Sequence, residues 1–193
     1  MKKHIIILIF TITGQIVYCQ RKHQLFGIRI APTIANFSNN TLPNRYHYRG
    51  LSYDLGITSQ ILQPNKIGFN VEAAYSRRNV KNDRFGYALH YLSWSNVANY
   101  YFGHTQTSVY AGGYIAILIS SRVINDYPKS GESFKKLDSG LIFGMSQKII
   151  ETTRLNISLD ARYNHGFIAI KENELEAKTR NYSYGLGLIF SLK

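Results

Sequence analysis

Residues 155–164 read Leu-Asn-Ile-Ser-Leu-Asp-Ala-Arg-Tyr-Asn. Every odd position is apolar (Leu155, Ile157, Leu159, Ala161, Tyr163) and every even one polar (Asn156, Ser158, Asp160, Arg162, Asn164). Strict alternation is the period of a β-strand, whose side chains point to opposite faces in turn. Two settings suit such a strand. Either its apolar face packs on a protein core with the polar face in water, or the apolar face meets lipid and the polar face lines the inside of a barrel.

The flanking sequence repeats the pattern. Towards the C-terminus, Asn181 to Leu192 sets Tyr182, Tyr184, Leu186, Leu188, Phe190 and Leu192 against Ser183, Gly185, Gly187 and Ser191. Towards the N-terminus, Leu137 to Ile150 sets Leu141, Phe143, Met145 and Ile149 against Asp138, Gly140, Gly144, Ser146 and Lys148. Thr105 to Ser121 is apolar on both faces, and Tyr87 to Phe102 is the least regular, with Asn96 among apolar neighbours. Lys66 to Lys81, Leu51 to Leu62 and Leu25 to Ile34 alternate again.

Eight strands result, and their connections alternate in length. Ala35–Tyr48, Asn82–Gly86, Arg122–Lys136 and Lys171–Arg180 are the longer ones; Gln63–Asn65, Gly103–His104 and Glu151–Thr153 are tight turns. Outer-membrane barrels have this arrangement, with short periplasmic turns, longer external loops and both termini in the periplasm. The expected fold is therefore an all-β, eight-stranded antiparallel transmembrane up-and-down β-barrel. A soluble periplasmic lipocalin-like ligand binder is the competing eight-stranded design. Its outward polar faces should be rich in charge, whereas here the polar faces of strands one, two, six and eight are rich in glycine and serine, as suits a narrow lumen.

The first residues read as an export signal. Lys2 and Lys3 precede an apolar run from Ile5 to Ile12, and cleavage is expected after Cys19. The run is well short of the roughly 20 residues a membrane-crossing helix needs. The domain plan is thus a signal peptide over 1–19 and a barrel over 20–193. Cys19 is the one cysteine, and Tyr18 before it does not suit lipoprotein processing, so disulfides and thiol chemistry are not expected. The formal net charge of +12 stays strongly positive once Lys2 and Lys3 leave. An exported basic chain points to anionic lipid headgroups and lipopolysaccharide as partners, and not to nucleic acid.

The stretches IGFNVEAAYSRRNVK (67–81), NYYFG (99–103), VYAGGYIAILISSR (109–122), DSGLIFGMSQKI (138–149), LNISLDARYNHGFIAI (155–170) and NYSYGLGLIFSL (181–192) resemble the PorT-like outer-membrane barrel proteins of Bacteroidetes. The chain departs from that pattern at Ser93, Ser95 and Gly113, and it ends on Lys193. The resemblance implies the same barrel fold and an outer-membrane location. It also implies that Tyr182, Tyr184, Phe190 and Leu192 carry the final-strand signal read by the barrel assembly machinery. Some proteins of this likeness assist a secretion system for surface proteins, which is the alternative role it suggests.

With the apolar faces turned to lipid, Arg29, Asp54, Glu72, Asp138, Lys148, Asp160 and Arg162 fall in the lumen, and Arg78 lies near the external rim. Four of these eight are basic and four acidic, so they are expected to pair and close a bore only wide enough for side chains. A second set, Arg45, Arg49, Arg77, Arg78, Lys81, Arg84, Lys135, Lys136 and Arg180, forms a basic external rim suited to glycolipid phosphates. The histidines (4, 23, 47, 90, 104 and 165) have no metal-ligand spacing. No nucleophile is marked beside His47 or His165, so neither catalysis, a metal nor a cofactor is expected.

Overall fold

The computed structural model describes residues 24–38, 47–62, 66–81, 86–102, 106–123, 134–153, 155–168 and 180–192. These form β1 (Gln24–Ser38), β2 (His47–Leu62), β3 (Ile67–Lys81), β4 (Gly86–Tyr101), β5 (Thr107–Val123), β6 (Leu137–Glu151), β7 (Leu155–Gly166) and β8 (Arg180–Leu192). Each strand pairs antiparallel with the next, and β8 pairs back to β1 to close the barrel.

The register fixes the shape. Stepping across the ladders from Phe26 leads through Ser59, Val71, Asn96, Gly113, Leu141, His165 and Tyr182 to Asn36. The path returns to β1 ten residues further on, from 26 to 36. With ordinary strand spacings, eight strands and this stagger give a tilt of about 40°. The bore is then only as wide as the side chains that enter it.

Sidedness separates the two designs left open by the alternation. Leu51 is 73% exposed and Ile57 is 69% exposed on the outer face, while Arg29 and Asp160 are fully buried on the inner one. Apolar outside and ionic inside is the inverse of a soluble protein and the arrangement of a lipid-embedded barrel. The soluble lipocalin-like alternative falls with that finding.

Several strands run further than their hydrophobic pattern reaches. β1 continues to Ser38 and β2 begins at His47, so much of the expected Ala35–Tyr48 loop is ladder. β5 runs from Thr107 to Val123, and β7 stops at Gly166, short of the expected continuation towards Ile170. A strand of 15–17 residues exceeds the 9–11 needed to cross the hydrocarbon, so the surplus projects past the lipid, where outward apolar residues bring no gain. The turns expected at Gln63–Asn65 and Gly103–His104 lie outside the described residues.

The mixed pattern of β4 also has a structural cause. Tyr87, Leu89, Tyr91 and Val97 point inward and join Tyr110, Tyr114, Ala116 and Ile142 in a buried cluster, with Leu118 and Phe134 packed against it. Asn96 instead faces outward beside Trp94 and Ala98. Trp94, the single tryptophan of the chain, is 37% exposed on this outer face. Reconstitution into brominated phosphatidylcholine should therefore quench most of its fluorescence, and aqueous iodide should quench little. Strong iodide quenching with no bromine effect would contradict the outward-facing wall.

The ionic interior as candidate functional site

The centre of the bore is crossed by a bidentate ion pair. Arg162 on β7 donates through Nη1 to Glu72 Oε1 at 2.8 Å and through Nη2 to Oε2 at 2.9 Å. β3 and β7 stand on opposite sides of the eight-membered ring, so this fork reaches from wall to wall. Such fork-on-fork geometry is the strongest form of the guanidinium–carboxylate contact.

Arg29 on β1 ties a second layer to it. Its Nε donates to Asp160 Oδ2 at 2.9 Å, and its Nη1 lies 3.6 Å from Asp54 and 3.8 Å from Glu72. Tyr110 Oη donates to the other Asp160 oxygen at 2.6 Å and accepts from Arg162 Nε at 3.3 Å. Two guanidiniums thus serve three carboxylates, with a phenol bridging them.

Tyr110 reaches this position because its cross-strand partner on β6 is Gly144. A Cβ on Gly144 would stand 2.2 Å from the Tyr110 ring. Two inward pairs along, past Gly112–Ile142, the device recurs: Tyr114 lies opposite Gly140, where a Cβ would come within 2.8 Å of its ring. Glycine on the inner face of β6 lets each tyrosine lie flat across the bore. Tyr114 Oη then donates to Asp138 at 3.1 Å, and Arg78 Nη1 donates to the same oxygen at 2.7 Å. The Arg78 guanidinium sits 4.5 Å from the Tyr91 ring centroid, a cation–π contact.

The layers run in order from the periplasmic mouth. Gln60, Asn70, Asn99, Lys148 and Asn156, with Leu25 and Ile189, line a cavity of about 30 Å³ that reaches Asp160. The Arg29–Arg162 network lies above it, then the Arg78–Asp138 pair, then the apolar cluster around Leu89 and Tyr87.

Six of the seven lumen residues expected from sequence lie buried in these layers: Arg29, Asp54, Glu72, Asp138, Asp160 and Arg162. Two assignments need correction. Lys148 faces inward at the mouth, where it pairs with Glu151 at 3.2 Å and takes no part in the central network. Arg78, counted both with the lumen charges and with the external rim, is 5% exposed and belongs to the interior alone. The alternation places it on the inner face, and Asp138 three strands away holds it there.

Of the remaining rim residues, Arg77, Lys135 and Lys136 lie at the external end. Arg45 and Arg84 lie outside the described residues, and Arg49, Lys81 and Arg180 are described by their backbone alone. Phe190 and Leu192 sit at the periplasmic end of β8, while Tyr182 and Tyr184 are described by backbone alone. Sequence reasoning missed the phenols. Tyrosines placed opposite glycines in the paired register were the available signal.

A closed eight-stranded sheet, apolar outside and ionic inside, defines an outer-membrane β-barrel. The chain belongs to the outer membrane protein beta-barrel domain family, whose profile matches residues 19–172, and it resides in the outer membrane. Among solved structures it is similar to neisserial surface protein A, with 13% identity, a TM-score of 0.57, and 85% of this chain and 95% of that one covered. It is also similar to the outer membrane protein OprG of Pseudomonas aeruginosa, with 14% identity, a TM-score of 0.54, and coverage of 89% and 96%. At these identities the likeness concerns the fold. No curated protein sequence matches the chain.

Proposed function

We propose that this chain, once its signal peptide (1–19) is removed, is a non-enzymatic barrel whose bore is closed to solutes. Its work is then done at the external surface, where the basic rim engages lipopolysaccharide. The observation that carries this reading is the Arg162–Glu72 fork, which spans the bore between opposite walls with Arg29, Asp54 and Asp160 packed around it. A path for ions favours a ring of one charge sign; paired opposite charges with tyrosines between them favour a strut.

Planar-bilayer recording tests the closed bore. Purified barrel, shown to be folded by heat-modifiable migration on a gel, should give no steady conductance. Large, stable channel steps from such a preparation would overturn the reading. The resemblance of six stretches to PorT-like proteins favours one further role, as an accessory of surface-protein secretion. Deletion of the gene would then abolish display of secreted surface proteins, and unchanged display would remove that role.

A further inference from the structure

We propose that the outer wall of β2–β5 carries a binding site for the phosphate of an outer-leaflet glycolipid headgroup, built by Arg77, His90 and Arg122 above Tyr53 and Tyr75. It rests on the reading that the external surface engages glycolipid, and it names where and through which groups.

The register assembles the site. Tyr53 pairs with Arg77, Arg77 with His90, and His90 with Ser120, so the four form one row across four strands. Arg122, two residues beyond Ser120, pairs with Ala88 one step further out. Both guanidiniums lie within electrostatic reach of the His90 ring. Tyr75 Oη is hydrogen-bonded to His90 Nδ1, and the Tyr75 ring centroid lies 5.9 Å from that of His90 and 6.2 Å from that of Tyr53. In the tautomer whose Nδ1 accepts from the Tyr75 hydroxyl, the ring proton sits on Nε2, which is then a donor. Arg77 Nε donates to Asn79 Oδ1 at 3.2 Å, which orients its guanidinium and leaves both Nη groups to act.

Charge distinguishes this row from the interior. Arg29, Arg78 and Arg162 each meet a carboxylate inside the bore. Among the described residues neither Arg77 nor Arg122 has one, although guanidinium forks suit phosphate as well as carboxylate. Depth and surroundings decide the source of the anion. Arg77 lies ten residues along β3 from Ile67, which at the barrel's tilt is about 25 Å, the height of the apolar band of such barrels. Directly below the row, Leu92, Trp94 and Ile117 are exposed at 54%, 37% and 55%. Cations over an apolar wall fit a phosphate that carries acyl chains.

The test uses the full mature barrel in phosphatidylcholine vesicles doped with diphosphoryl lipid A, with retained lipid counted by native mass spectrometry after gentle extraction. Wild type should retain lipid A, and the Arg77→Gln/Arg122→Gln double variant should retain it roughly thirtyfold more weakly, the effect of two basic side chains at an anionic surface. His90→Phe, which keeps the ring contact with Tyr75 but removes the donor, should shift retention in the same direction. Dephosphorylated lipid A should not be retained. Equal retention by wild type and double variant would overturn the site. Full competition by an equal concentration of inorganic phosphate would overturn the lipid assignment in favour of a free anion. Heat-modifiable migration and Trp94 quenching on the same samples report the barrel itself, so loss of those signals would count against the barrel and not against this site.

Discussion

Replacing Arg29 with methionine is expected to cost the folded barrel about 3–5 kcal/mol, because the charge partners it leaves behind stay buried. Arg29 is fully buried and faces Asp54, Glu72 and Asp160. Without it, Asp54 loses the guanidinium beside it, and Glu72 and Asp160 are left to share that of Arg162. Urea titration of the reconstituted barrel, read by the fraction that keeps its heat-modifiable mobility, measures the loss. The double variant Arg29→Met/Asp160→Leu should recover part of it, since removing both ends of a buried pair is milder than removing one. A single variant as stable as wild type would mean that the network is not a structural strut.

Arginine at position 57 should be almost as damaging, for a different reason. Ile57 is 69% exposed halfway along the outward row of β2 from Ile61 to Tyr53, which places it near the middle of the lipid. A charge there costs roughly 2–4 kcal/mol, falling to about 0–1 kcal/mol near the interface. Leu51, on the same face of the same strand and 73% exposed, lies two residues beyond the Tyr53–Arg77 pair, with its carbonyl accepting from Asn79 Nδ2. Leu51→Arg should therefore cost little. The same urea titration compares the two, and equal costs at both sites would contradict the membrane placement of β2.

The fold was legible because a period of two is hard to produce by chance over eight stretches, and because a lipid-facing wall needs apolar residues at every outward position. That pattern also fixed which charges face inward. Partners were not legible. Arg162 forks onto Glu72 and leaves only its Nε near Asp160, at 3.8 Å, because the stagger of ten residues brings Glu72 and Arg162 to one height, and the stagger is a property of ladder registers that no single strand carries. Arg78 was counted both with the lumen charges and with the external rim, and β3, continuing past the lipid, keeps its side chain inside. Residues 35–38 and 47–48 read as loop for the same reason: above the lipid the alternation fades while the hydrogen-bonded ladder goes on. The exterior row of Tyr53, Arg77 and His90, with Arg122 beyond its β5 end, draws on four strands and was invisible one strand at a time.

The span of the central ion pairs along the chain bears on how the barrel is made. Arg29 and Asp160 are 131 residues apart in sequence, and Glu72 and Arg162 are 90 apart. Neither pair can form within a single hairpin; each joins strands that come face to face only once the sheet has curled round on itself, β1 with β7 and β3 with β7. The network therefore acts as a latch that engages only on closure. Until then its carboxylates and guanidiniums stay hydrated, and a partly assembled sheet gains nothing from them. Variants that weaken the latch should accumulate as membrane-associated, unclosed sheets, sensitive to protease, while their individual hairpins form at the ordinary rate.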